Sequence, residues 1–175
     1  MQIEPKDVIV LGSIRRGKKK FSNIQNETKI SSEELNSILE ELENKKFVKV
    51  EEKKGLFGKK IELKVTEEGS NELDKKIIEI QDKWKEMQLI YESGDKQKLQ
   101  QKMEENKSVL PTMMFFGVMD MMMFSMMFSM MGVGMSDYVS QEDMSNDGMD
   151  DGGMDDGGMD DGGMDDGGFD FDIGF

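Results

Sequence analysis

Apolar residues along this chain fall into blocks of different period. Val8, Leu11 and Ile14 recur three apart, with Ile9 and Val10 widening the face, which predicts a first helix. Asp7 suits its first turn, and Gly17 follows its last periodic residue as a stop. Phe21, Ile24 and Ile30 predict a short second helix capped by Ser22. The third helix has the clearest start. Ser31 at the N-cap and Glu34 three residues later predict a capping box, in which each side chain takes up a free backbone N–H of the other. Leu35, Ile38, Leu39 and Leu42 then form one apolar stripe. After it the period drops to two: Phe47-Val-Lys-Val50 and Ile61-Glu-Leu-Lys-Val65 alternate as strands do, with Gly55 and Gly58 between them for a turn.

A helical period returns after Thr66, which is placed to cap a long helix. Its apolar positions Leu73, Ile77, Ile80, Trp84, Met87 and Tyr91 are spaced alternately four and three apart, a heptad seam of nearly three heptads. Such a seam packs either on a second copy or back on its own head domain. Gly94-Asp95 breaks the helix, and Leu99 and Met103 mark a shorter one ending near Lys107. Residues 109–135 carry a single charge, Asp120, and are saturated with Met and Phe, so they predict a helix with no useful polar face, opened by Pro111.

Three short helices followed by a Gly-tipped hairpin resemble the winged helix-turn-helix of archaeal and bacterial regulators, broadly the MarR/PadR-like group. Residues 1–69 carry the resemblance, chiefly the stretch SSEELNSILEELENKKFVKVEEKKGLFGKKIELKVTEEG, residues 31–69. It is similar to a recognition helix, first strand, wing, second strand and a Thr-Glu-Glu-Gly helix start. The resemblance implies a mainly α fold with a small β-hairpin, a dimeric DNA-binding role, and a dimer seam along the long helix. It implies phosphate contacts from Arg15, Arg16, Lys18, Lys19 and Lys20 in the first interhelical loop, and from Lys53, Lys54, Lys59 and Lys60 in the wing. Asn36 and Ser37 are its candidates for reading base edges. The third helix otherwise presents Glu33, Glu40, Glu41, Glu43 and Asn44, and its carboxylates oppose phosphate. With Leu56 and Phe57 at the wing tip, that surface also suits protein docking.

Charge changes this picture mainly by its distribution. The formal net charge is −14. Residues 1–65 carry 15 basic and 11 acidic side chains, whereas residues 137–175 carry 14 acids and no base. A basic head with an acidic appendage suggests a separate interaction tail. The chain has no Cys and no His. That excludes disulfides, thiolate or imidazole zinc sites, Cys nucleophiles and His general bases, so an enzyme is not expected and no cofactor is called for. The polar start of the chain has no apolar signal segment, which predicts a cytoplasmic protein.

Four regions are expected: a winged-helix domain over 1–65, a helical extension over 66–108, the Met/Phe-rich segment over 109–135 and an acidic tail over 136–175. For the third, a membrane span is one reading, because about 22 helical residues cover ~33 Å against ~30 Å of hydrocarbon. Asp120 near mid-bilayer counts against it, at roughly 2.5–3.5 kcal/mol. A flexible Met surface for apolar clients or self-association is another, which would make the chain an adaptor docked through its winged helix. Thioether coordination of Cu(I) is the least favoured, since Cys and His partners are missing. The tail repeats Gly-Met-Asp-Asp-Gly four times over residues 148–167. Its composition predicts disorder, with either a solubilising role or competition with phosphate for the basic head.

Overall fold

The computed structural model describes residues 3–55 and 58–144. Wing-tip residues Leu56 and Phe57, and the acidic repeat with its expected disorder, lie outside the described residues. The order is α1 (Pro5–Arg15), α2 (Phe21–Thr28), α3 (Ser32–Asn44), β1 (Val48–Gly55), β2 (Gly58–Val65), α4 (Glu67–Ser93), α5 (Lys96–Glu105), α6 (Leu110–Phe115), α7 (Met121–Met131) and α8 (Gln141–Met144). The fold is therefore mainly helical with one antiparallel hairpin, as the periodicity predicts. The hairpin pairs Val48 with Val65 and Gly55 with Gly58.

Local signals account for most element ends. Pro5 opens α1, where a missing N–H costs nothing, and the Glu4 N–H donates to the Asp7 carboxylate at 2.9 Å. Gly17 (φ +101°) turns the chain out of it. The Ser31 hydroxyl accepts the Glu34 N–H at 3.3 Å, half of the expected capping box. The other half is replaced, because the Glu34 carboxylate pairs with Lys6 at 2.6 Å. Helix α2 differs from expectation. Its N-cap is Lys20 rather than Ser22, and it ends at Lys29 in the left-handed region (φ 57°), so Ile30 lies beyond it. Ile30 is still buried, as an anchor between α2 and α3.

The Thr-Glu-Glu-Gly start of α4 is a fixed joint. Thr66 Oγ1 donates to the Lys46 carbonyl at 2.6 Å and accepts the Gly69 N–H at 3.0 Å, and the Thr66 N–H donates to the Phe47 carbonyl at 3.0 Å. A Cβ on Gly69 would lie 2.2 Å from the Phe47 carbonyl oxygen, so only glycine lets α4 leave the hairpin at this angle.

Two apolar cores result. The first gathers α1–α3 and Val48, with Leu11, Ile24, Leu35 and Leu42 fully buried, and Leu73 of α4 completes it with Ile77 packed alongside. The second gathers Ile80, Trp84, Met87 and Ile90 of α4 with Leu99 and Met103 of α5 and the Met/Phe segment. The heptad seam, which fits a second copy or the chain itself, is packed within the chain. Its upper part fills the head core. Ile80, Trp84 and Met87 are buried under the Met/Phe segment, and Tyr91 packs half-buried beside them.

The Met/Phe segment is also not one helix. Gly117 (φ +61°) breaks it, and Asp120 caps α7 by accepting the Met123 N–H at 2.8 Å. Gly132 (φ +71°) ends α7 after 11 residues, about 16 Å of rise. Among the described residues, no helix is long and apolar enough to cross a membrane. Asp120 is exposed at the cap of α7. Most of the described methionines are buried in, or packed against, the second core. Met103, Met113 and Met127 are fully buried, and the adaptable thioether chain fills the irregular space between rings. Those rings make a ladder: Trp84 to Phe124 at 6.3 Å, Phe124 to Phe128 at 4.8 Å and Phe128 to Tyr138 at 5.1 Å between centroids. Burial, with the Glu104 carboxylate nearby, pushes the Tyr138 hydroxyl up to about 12.

Phe124 is fully buried at the centre of this ladder. Phe124→Ala is expected to cost about 3–5 kcal/mol in urea unfolding. Trp84, the only tryptophan, reports the loss through its emission. A cost under about 1 kcal/mol would show that the second core does not depend on the ladder.

Candidate nucleic-acid interface

Helices α2 and α3, joined by the tight turn at Lys29, are set against α1 and followed by the hairpin. The outer face of α3 carries Glu33, Asn36, Ser37 and Glu40, all exposed, at the i, i+3, i+4, i+7 spacing of one face. Asn36 and Ser37 make no side-chain hydrogen bond among the described residues, and the flanking Glu33 and Glu40 make no ion pair there. The remaining carboxylates of α3 are partly engaged, Glu34 by Lys6 and Glu41 by Lys45.

The basic clusters divide once their geometry is known. Arg15 pairs with Asp74 of α4 at 2.5 Å. Arg16 is a clamp between the two cores. Its guanidinium donates to the Phe115 carbonyl at 2.7 Å, lies 4.3 Å from the Phe115 ring centroid and stands 3.9 Å from Glu27. Gly12 makes room beneath, since a Cβ there would fall 2.4 Å from the Phe116 ring. The guanidinium of Arg16, expected to contact phosphate, thus lies against the chain's own carbonyl, ring and carboxylate. In the wing, alternation puts Lys53 beside Glu62 at 2.9 Å and Lys59 beside Glu52 at 3.1 Å. Glu51 is held by Lys64 and Lys49 at 2.6 and 3.0 Å, which brings its carboxyl down to about 2. Lys18, Lys20, Lys54 and Lys60 are exposed and make no ion pair among the described residues.

One backbone hydrogen bond brings the two clusters together. The Leu63 N–H of β2 donates to the Lys19 carbonyl at 2.9 Å, so the α1–α2 loop lies along the wing as a further short edge. Lys29, exposed at the turn just before α3, joins them, and the sequence reading missed it because it stands alone in a polar stretch. The sequence reading also missed a cleft of about 150 Å³ between loop, α3 and hairpin. Its walls are Phe21, Leu39, Val50, Ile61 and Leu63, and Lys19 and Lys20 complete its lining. The alternation of Ile61, Leu63 and Val65 held the signal for it: one hairpin face is apolar, yet Ile61 stays 52% exposed.

Residues 6–112 match the HxlR-like helix-turn-helix family, well over half of the chain. The chain belongs to that family. Its match names HxlR-like proteins rather than the MarR/PadR-like group, and it extends beyond the hairpin through α4, α5 and the start of α6. No curated protein and no solved structure matches the chain significantly.

Asp7 is a buried carboxyl of this domain, 2% exposed. Burial raises its carboxyl, against the lowering effects of the Glu4 N–H and of Lys45, whose ammonium is 4.0 Å away. A raised folded-state value favours the protonated acid. The penalty of ionised Asp7 is absent below the ordinary carboxylate range, grows between that range and the raised value, and stays constant above it. Asp7→Asn keeps an oxygen to accept the Glu4 N–H and cannot ionise. Relative to the parent chain it is expected to gain stability between pH 4 and pH 7 in urea unfolding. A difference that shrinks over that range would reverse the assignment.

Proposed function

We propose that this chain is a non-catalytic transcriptional regulator that binds double-stranded DNA as a homodimer in the cytoplasm. The observation that carries the reading is the helix-turn-helix itself. Among the described residues, the outer face of α3 makes no side-chain hydrogen bond or ion pair, and Lys18, Lys20, Lys54 and Lys60 of loop and wing make no ion pair. Membership of a helix-turn-helix family supports the same function. In this reading α3 enters the major groove, with Asn36 and Ser37 toward base edges. Lys18, Lys20, Lys54 and Lys60 take phosphates, with smaller parts for Lys19, Arg15, Lys53 and Lys59, whose positions or ion pairs tie them locally.

The dimer surface would lie away from the occupied seam. Ile78 and Leu89, 56% and 66% exposed, stand three turns apart on α4. Met122 and Met126 are exposed on α7, which meets α4 where Gln88 donates to the Met123 sulfur at 3.3 Å. Together they supply unpartnered apolar area suited to a second copy. Client binding by the Met segment has less support, because its rings and most of its thioethers are spent on the chain's own core.

Glu33 and Glu40 set the character of the reading head. They repel phosphate, so affinity rests on the lysines and is strongly salt-dependent. With the full chain and duplex DNA, each substitution of Lys18, Lys20, Lys54 or Lys60 by Ala is expected to lower the slope of log K against log salt by about 0.9. Lys53→Ala should change it less. Glu40→Gln should tighten binding several-fold without altering the slope. Absence of duplex binding by the full chain at ~50 mM salt would overturn the reading.

A further inference from the structure

The cleft between loop, α3 and wing has a chemistry that duplex DNA does not use. Phosphate gains nothing from an apolar floor, and about 150 Å³ is the space of one benzene-sized ring. Two lysines and no carboxylate are among the residues lining it. On the same hairpin face the register leads from Leu63 and Ile61, with Glu52 opposite Ile61, outward to Lys59, which pairs with that Glu52, and to Lys54. A complementary ligand therefore offers a phenyl group or branched aliphatic with carboxylates immediately beside it.

The chain itself carries that ligand. After the repeat, the sequence Gly168-Phe-Asp-Phe-Asp-Ile-Gly-Phe175 alternates apolar and acidic side chains. Laid out as an extended strand, Phe169, Phe171 and Ile173 fall on one side and Asp170 and Asp172 on the other. The segment lies outside the described residues, and the 39 residues from 137 onward hold 14 acids and no base. We propose that residues 168–175 dock in this cleft, with a Phe ring on the Phe21–Leu39–Ile61 floor and the aspartates against Lys19, Lys20 and Lys54. The docked segment covers the wing and the loop lysines, so it competes with DNA. The regulatory half of the proposal rests on the DNA-binding reading above, but the docking half does not.

Reach and strength are sufficient. From Met144 to Phe169 the chain runs 25 residues, up to about 85 Å when extended. A body of this size has a radius of gyration of roughly 15 Å. A tethered segment is present at an effective concentration near ~1 mM, so a site of only ~100 μM affinity would be mostly filled. The repeat then acts as a tether and an acidic screen, and the Phe residues give it an address.

The test begins with a labelled peptide of residues 164–175. It is titrated with the full chain carrying Phe169→Ser, Phe171→Ser, Ile173→Ser and Phe175→Ser, which removes the competing segment and keeps every acid. Saturable polarisation with a midpoint of roughly 100–500 μM is expected, weakened at least about tenfold by adding Ile61→Asp. Ile61 is half exposed, and an unchanged urea midpoint of this variant checks that the fold persists. No saturation by ~2 mM, or saturation indifferent to Ile61→Asp, would sink the docking. In a duplex titration the four-fold variant is expected to bind about 3–10 times more tightly than the parent chain. Equal affinities would overturn the competition while leaving the peptide result to stand. If neither protein binds duplex but the peptide saturates the cleft, docking holds and the DNA reading fails.

Discussion

Helix α4 carries one apolar stripe that both cores share. Leu73 closes the head core, and four turns on, Met87 is fully buried among the rings and thioethers of the second. Each large side chain so buried contributes about 1.5–3 kcal/mol, enough to set the orientation of a helix whose own surface pairs are worth tenths. The start of α4 is fixed by the contact of Gly69 with the Phe47 carbonyl, and its course by what packs along the stripe. Everything C-terminal of the hairpin follows from this line.

The second fastening is the meeting of α1 with α6. Phe116 fits over Gly12, and Arg16 reaches across to the Phe115 carbonyl while lying on its ring. These two contacts turn the Met/Phe segment inward. Charged groups then find their uses by position rather than by identity. Arg16 and Arg15 hold elements together, Lys53 and Lys59 neutralise the hairpin's own glutamates, and Lys18, Lys20, Lys54 and Lys60, without an ion pair among the described residues, give the domain its external field. The same sorting leaves α3 with a polar, mildly acidic reading face, so any DNA affinity must come from its flanks.

The apolar cleft follows from the same packing. The loop bonded to β2 through Lys19 and Leu63 cannot cover Ile61, and α3 contributes only Leu39 to that side. A partly covered apolar floor rimmed by lysines is then a standing feature of the head. The tail residues that would match it are at the far end of a repeat long enough to bring them there.

Much of this was determined by the sequence alone. The period of three and four residues located α1, α3, α4 and α5, the period of two gave the hairpin, and Ser31, Thr66 and Gly94 marked ends because capping is local chemistry. The head's winged-helix class followed from those elements. Other features depended on neighbours that the sequence does not name. A heptad spacing along Leu73 to Tyr91 fits a second copy and an intramolecular partner equally well, and only the packing of α6 and α7 decided for the chain's own methionines. Residues 109–135 read as one apolar helix because hydropathy does not register that Gly117 adopts a positive φ and Asp120 caps a new helix. Likewise a run of five basic residues has one appearance in sequence. The tertiary structure separated a clamp at Arg16 from Lys18 and Lys20, which make no ion pair among the described residues, because the partners of a long charged side chain are set by what folds against it.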